Sequence, residues 1–446
     1  MFDLEDSPLE QSSGQIIEGA VSDLLSVQDV THGVSEHRDA IRFRGHLQAP
    51  SEQAYPKIAS RLRALNYTAM LRHDEQTDMD ELLAIPGVMP EYDRPRLWVH
   101  ALLFGLTVLT TLYVGAGMSE LRPANDLWWP LFNFWVGWPF SLSLLSILLA
   151  HELGHYFMSR HHRVAATLPY FVPLPIPDFL GNVLGTMGAV IRMKAAITNR
   201  RVMLDIGSAG PLAGLVVAIP VLLLGLSMSE IQPLPVDHGY SMEGNSLLYL
   251  LLKYAVFGRW LPDGGVDVFI HPVAFAGWAG LLVTSLNLIP AGQLDGGHVL
   301  YSLVGTRAQR MTWPIIFVLL GMGLVVWPGW LLWAGLVFLF GQGHPGPLDR
   351  ITRLDARRKA LAVLVLVVLV LTFTPVPLTL VFPEGSPGTE GTVLRQIPLL
   401  ATGLVRPGGW PAAWPRGAAM RDWGRRVVAG SLLGAAFGAL MGLILA

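Results

Sequence analysis

The chain has no cysteine among its 446 residues. Disulfides and thiolate metal sites are therefore excluded. Charge is also scarce. Asp, Glu, Lys and Arg make up 14% of the residues, whereas a soluble globular protein carries about 25%. Few charges, 52% hydrophobic residues and a mean hydropathy of +0.46 imply a polytopic membrane protein, and several long apolar runs agree. The opening MFDLEDSPLEQSSG lacks the basic start and apolar centre of a secretory signal. No P-loop or dinucleotide-binding glycine pattern is present, which speaks against ATP-driven or redox chemistry.

The charge that exists is unevenly shared. Residues 1–96 hold 17 of the 33 acids and 9 of the 31 bases. An acidic, soluble head precedes a slightly basic membrane body, a distribution that argues against nucleic-acid binding. Residues 1–36, rich in Ser, Asp and Glu, read as a disordered acidic tail. Residues 37–95 read as a small α+β domain: AIRFRGHL alternates like a strand, and SEQAYPKIASRLRAL has Ser51 as a candidate N-cap followed by helical spacing through Ile58, Leu62 and Leu65. YTAMLRHD and DELLAIPG read as two further strands.

From residue 96 the pattern is all-α. About eight transmembrane helices are expected, near 97–116, 134–157, 203–226, 271–290, 313–326, 329–341, 361–382 and 428–446. VVWPGW splits the fifth from the sixth, and residues 245–257 are short enough to be an interfacial helix. A Pro-, Gly- and Arg-rich loop, 383–427, precedes the last apolar segment, 428–446. The basic clusters at 159–163, 192–201, 306–310 and 349–359 fall on one side if the spans alternate, which makes the head cytoplasmic. Arg421, Arg425 and Arg426 run against that scheme.

Within the second span stands HELGH. Its histidines, His151 and His155, are four residues apart and share a helical face, so both imidazoles can bind one zinc ion. Glu152 can act as a general base beside it. Ionisable groups cost about 2.5–3.5 kcal/mol at the middle of a spanning helix, so they are seldom there without a function. Zinc in a hydrolase takes three protein ligands. TSLNLIPAGQLDGGHVL, residues 284–300, offers Asp295 at the end of the fourth span. The second and fourth spans run in the same direction under this topology, so HELGH and Asp295 lie at similar depth. His161, His162, His298 and His344 read as surface or supporting polar groups. The glycines of SAGPLAG read as close-packing positions.

HELGH followed downstream by Asn287, Pro290, Leu294, Asp295 and Gly296 resembles the paired motifs of the site-2 protease family of intramembrane zinc metalloproteases (peptidase family M50). GTMGAVI, DIGSAGPLAG and HPGPLDRITRLDARRK extend the likeness toward the cyanobacterial and chloroplast-type branch, over about residues 95–380. The branch commonly has HPP and TPLD where this chain has His344-Pro345-Gly346 and Thr352-Arg353-Leu354-Asp355. The resemblance implies one zinc held by His151, His155 and Asp295, water activation by Glu152, and Asn287 contacting the substrate backbone or the oxyanion. It also implies a transmembrane protein as substrate, within the lipid bilayer of a bacterial cell membrane. Residues 168–193, apolar but broken by prolines, could receive that substrate as an added strand. The competing class is a transporter or channel with a metal or ion site. Oligomeric state and physiological substrate are not legible.

Overall fold

A computed structural model describes residues 8–34, 37–88, 96–123, 126–175, 184–236, 239–340 and 346–381. The chain begins with α1 (Pro8–Val21), β1 (Leu25–Val34), β2 (His37–Leu47), α2 (Ser51–Ala64), β3 (Tyr67–Asp74) and β4 (Met79–Pro86). The strands form one antiparallel sheet in the order β1-β2-β4-β3. The helices cover its apolar face through Ile17, Val21, Ile58 and Leu62, which meet Phe43, Leu71 and Leu82 in a single core.

Over residues 8–34 this corrects the reading of residues 1–36 as a disordered tail, because α1 and β1 belong to the folded domain. The acids and serines there conceal an apolar stripe of Ile17, Val21, Leu24 and Leu25, all buried. Ser51 is likewise not an N-cap. It is the first residue of α2, Pro50 precedes it without a side-chain cap, and its hydroxyl lies 2.9 Å from that of Thr352.

Glu81 organises the other face of the sheet. It stands directly across from Arg44 on β2 and Arg72 on β3. Both guanidinium Nε atoms donate to its carboxylate, at 2.7 and 2.6 Å, and the side chain is only 4% exposed.

The membrane body follows. It contains α3 (Leu97–Gly117), the single turn α4 (Trp129–Phe132), α5 (Trp138–His161), β5 (Tyr170–Pro173), β6 (Thr186–Val190), α6 (Arg200–Ser227), β7 (Glu230–Pro233), β8 (Tyr240–Glu243), α7 (Leu247–Phe257), β9 (Val266–Phe269), α8 (Pro272–Asn287), α9 (Asp295–Val304), α10 (Arg307–Val325), α11 (Gly329–Phe340), α12 (Ala356–Thr372) and β10 (Leu378–Val381). Four helical segments are long and apolar enough to cross a membrane: Leu97–Gly117, Phe134–His161, Arg200–Ser227 and Arg307–Val325. α8 and α11, with 16 and 12 residues, fall short of that length. The expected span at 361–382 is a 17-residue helix, α12, and a separate strand, β10. Pro375 and Pro377 have no amide hydrogen with which to continue a helix, so the chain turns into an extended segment that pairs with β8. The loop 383–427, the segment 428–446 and His344 lie outside the described residues.

Three helices form the centre, and small residues set their spacing. A Cβ on Gly154 of α5 would strike the backbone of Ala209 on α6, and one on Gly225 of α6 would strike Ala274 on α8. Gly280 of α8 sits against Ile147, and Asn287, two turns further on, sits against His151. α5 and α8 therefore run in the same direction, with α6 antiparallel between them.

The N-terminal domain is stitched to this body by one extended segment. Leu71 on β3 donates its N–H to Leu348 at 2.8 Å, and Arg350 donates back to Leu71 at 2.9 Å. On its other side, Leu348 and Asp349 donate to Ile197 and Thr198 at 3.0 and 2.7 Å, just before α6.

Burial opposes charge on Glu81, but the hydrogen bonds from Arg44 and Arg72 outweigh it and hold the carboxyl below the usual glutamate range. Its stabilisation is therefore complete above the unfolded value of about 4.3 and is lost as pH falls through the folded value. Glu81→Gln should cost about 2 kcal/mol at neutral pH and flatten the acid dependence of this domain. Hydrogen exchange of the β4 amides against pH in the full chain measures both.

Candidate metal centre

α5 supplies HELGH from its C-terminal half, where apolar residues on both sides keep the helix continuous. His151, Glu152 and His155 are all buried, at 4, 6 and 7% exposure. The two histidines, one helical turn apart, bring their Nε2 atoms to 3.2 Å from each other. Asp295 arrives from a different element. α8 ends at Asn287, and Pro290 prevents its continuation, so Asp295 is not the tail of that span as expected but the first residue of α9. A Cβ on Gly296 would collide with the carbonyls of Leu288 and Ile289. Only glycine lets the start of α9 fold back so tightly.

That return places Asp295 Oδ2 at 3.2 Å from His155 Nε2 and 3.3 Å from His151 Nε2. The three donor atoms belong to one cluster able to hold a metal ion. A test of fit follows from their chemistry. His155 Nδ1 donates to the Ile206 carbonyl at 2.8 Å, so the proton resides there and Nε2 presents a lone pair. That lone pair faces a carboxylate oxygen and a second imidazole nitrogen. Acceptors packed so closely repel unless a cation lies among them. Four donors around zinc with bonds of about 2.05 Å are separated by about 3.3 Å along each edge of the tetrahedron, and the three separations here match that edge.

α6 makes room for this arrangement. A Cβ on Gly210 would overlap the His155 imidazole, and one on Gly214 would lie 3.2 Å from the His151 Cβ. The two glycines are four residues apart, as the two histidines are, on an antiparallel partner. The spacing of SAGPLAG is thus the imprint of HELGH, a relation that neither motif reveals alone. The Ile191 amide, one residue beyond β6, lies close to the Glu152 carboxylate, and β6 pairs antiparallel with β5. Asn287 Nδ2 lies 3.3 Å from His151 Nε2.

The remaining histidines stand elsewhere. His162 Nε2 is 2.9 Å from Asp205 Oδ2, and His298 packs its Cβ beside Gly207. Asp205 also accepts from Arg358 Nε and Nη2 at 2.9 and 2.7 Å. This cluster ties α6 to α12 one residue before the Ile206 carbonyl that orients His155. Sequence reading did not find Asp205 or Arg358. The signal was the acid in DIGSAGPLAG paired with a base 153 residues away, which only contact connects.

Helices long and apolar enough to cross a membrane thus enclose a His–His–Asp cluster able to hold a metal ion, beside a buried glutamate. Comparison with known proteins makes this specific. Residues 139–325, which include all of these side chains, match Peptidase family M50. The probable zinc metalloprotease EGY2, chloroplastic, of Arabidopsis thaliana is 30% identical over 338 residues, 74% of this chain and 59% of that protein. The probable zinc metalloprotease EGY1, chloroplastic, of Oryza sativa subsp. japonica is 29% identical over 341 residues, 69% of this chain and 57% of its own. The Arabidopsis EGY1 counterpart is 32% identical over 245 residues, 54% and 42% of the two chains. The chain spans about half the length of the curated relatives it matches. No solved structure matches it. Residues 139–325 form a Peptidase family M50 domain, and the chain is similar to these chloroplast-type proteins over most of its length.

Gly210→Ala should push the His155 ring off the common point and weaken zinc binding roughly tenfold or more. Equilibrium dialysis against a zinc buffer checks this. Gly19→Ala, on α1, has nothing within 4 Å of the added carbon and should leave affinity unchanged.

Proposed function

We propose that this protein is an intramembrane zinc endopeptidase that hydrolyses peptide bonds within or near the transmembrane segments of membrane-anchored proteins. The observation that carries the reading is the meeting of His151 Nε2, His155 Nε2 and Asp295 Oδ2 at mutual distances of 3.2 to 3.3 Å, with Glu152 on the same helix. The family and the relatives' names support it. A transporter would need polar groups along a path, but not a general base beside three converging acceptors.

His151, His155 and Asp295 would hold one zinc ion per chain. Zinc, when bound there, supplies Lewis acidity that polarises the scissile carbonyl and lowers the pKa of water. Glu152 accepts the proton of the attacking water and delivers it to the leaving amine. The Ile191 amide beside it helps to hold the carboxylate in place. Asn287, a neutral donor beside His151, faces the charge that develops on the carbonyl oxygen. The Ile206 carbonyl keeps His155 in the tautomer that exposes Nε2.

Proteolysis requires an extended backbone. The β5–β6 pair adjoins Glu152 through Ile191, so a substrate segment unwound from its helix would add to this pair as a further strand, its main-chain groups satisfied by pairing. The basic loops support a cytoplasmic position for the N-terminal domain in a bacterial cell membrane, with up to eight spans if the shorter helices and residues 428–446 also cross.

Two variants separate the chemistry from the metal. Glu152→Gln should retain one zinc per chain while cleavage of a membrane-anchored reporter falls at least 100-fold. Asp295→Ala should lose both zinc and cleavage. Reporter cleavage by Glu152→Gln at the wild-type rate would defeat the assignment. Metal content by mass spectrometry and product formation in liposomes are the readouts.

A further inference from the structure

The acids on the basic side of the body nearly all have partners. Glu52 pairs with Arg201, Asp205 with His162 and Arg358, and Asp355 with Arg358. The Asp349 carboxylate is consumed locally, accepting from the Ile351 and Thr352 amides and from the Thr352 hydroxyl. Two arginines stand apart from the other bases there by the burial of an unpartnered Nε. Arg200 and Arg350 each carry a buried Nε with no hydrogen-bond partner, and among the described residues no carboxylate pairs with either side chain. A buried guanidinium donor without an acceptor is costly, and two together add mutual repulsion.

The fold brings the two side by side. Asn199 and Asp349 form a parallel β-bridge, and Arg200 and Arg350 are the residues that follow it on the two segments. Both reach the C-terminal end of α9. A carbon added to Gly305, which has a φ of +67°, would lie 2.6 Å from Arg200 Nη2. A carbon added to Gly346 would lie 2.6 Å from the Tyr301 hydroxyl and 3.1 Å from Arg350 Nε. Tyr301 and Gly305 are one turn apart on α9. The two glycines thus make room for the two unneutralised guanidinium groups, and Tyr301 lies beside Gly346.

We propose that Arg200 and Arg350 form an anion site for a phosphate group, supplied by an anionic phospholipid headgroup. Planar guanidinium forks suit phosphate oxygens, and two of them match one phosphodiester. Arg200 is the first residue of a membrane-crossing helix, so the site stands at headgroup depth, where cationic side chains meet the leaflet's negative surface. The occupant would fasten α6 and the 348–350 segment to the far end of the helix whose first residue is Asp295.

The test uses the full chain, purified in detergent and stripped of lipid. It is titrated with phosphatidylglycerol by native mass spectrometry and with inorganic phosphate by calorimetry. The expected result is one saturable phosphatidylglycerol per chain, weakened about tenfold or more in Arg200→Gln/Arg350→Gln and unchanged in Arg307→Gln/Arg310→Gln. Saturable binding of inorganic phosphate with the same arginine dependence also supports the phosphate site but assigns its source to a soluble anion. Gly346→Glu places a tethered carboxylate beside Arg350. It should abolish probe binding and raise the melting temperature, which distinguishes occupation of the site from unfolding. Binding of neither probe to the wild-type chain, or binding indifferent to the Arg200/Arg350 pair or to Gly346→Glu, overturns the proposal.

Discussion

Three electron-pair donors, two imidazole nitrogens and a carboxylate oxygen, are forced within 3.3 Å of one another inside a lipid-embedded core. Such a cluster is unfavourable by itself, because like partial charges face each other where no water can screen them. It becomes favourable when a divalent cation takes the centre. Much of the surrounding structure can be understood as holding those donors in place. α6 gives up its side chains at Gly210 and Gly214, the Ile206 carbonyl fixes one tautomer, and α9 folds back under Gly296. A protein interior packed as densely as a crystal transmits such constraints, so a single added methyl on α6 is felt at the three donor atoms.

The polar environment beyond the donors is arranged in layers. Asp205, Arg358 and His162 join α6, α12 and the end of α5 around one carboxylate. The next layer outward is the extended segment 348–350, paired with β3 of the N-terminal domain on one side and with the chain leading into α6 on the other. A displacement of the N-terminal domain would therefore be felt first at the start of α6, the helix that orients His155 and makes room for both imidazoles. This continuity is backbone hydrogen bonding rather than side-chain contact, which is stiffer and less tolerant of a one-residue slip.

Much of the fold was legible because the bilayer permits few solutions. Apolar runs must be helices, and their lengths identify those able to cross. β2 to β4 and α2 were legible through periodicity. α1 and β1 were not, because four buried apolar residues are diluted among acids and serines. The break of α12 at Pro375 was present in the letters but obscured by the apolar run around it. At the site, HELGH specifies its own geometry, since residues four apart on a helix must share a face. Asp295 was legible as a residue, although its element was misread as the end of a span.

By itself the sequence determined the class of protein, the helix that bears the paired histidines and the residue types of the donor set. These follow from local periodicity and from the high cost of charge in lipid, both properties of short stretches. Only the tertiary structure decided that Asp295 begins a new helix, that Gly210 and Gly214 answer His155 and His151, and that Arg200 and Arg350 stand together without a counter-charge. Those relations join positions tens to hundreds of residues apart. The physical reason is that close approach and charge balance are properties of neighbours in space, and the chain's order does not encode them separately from the fold.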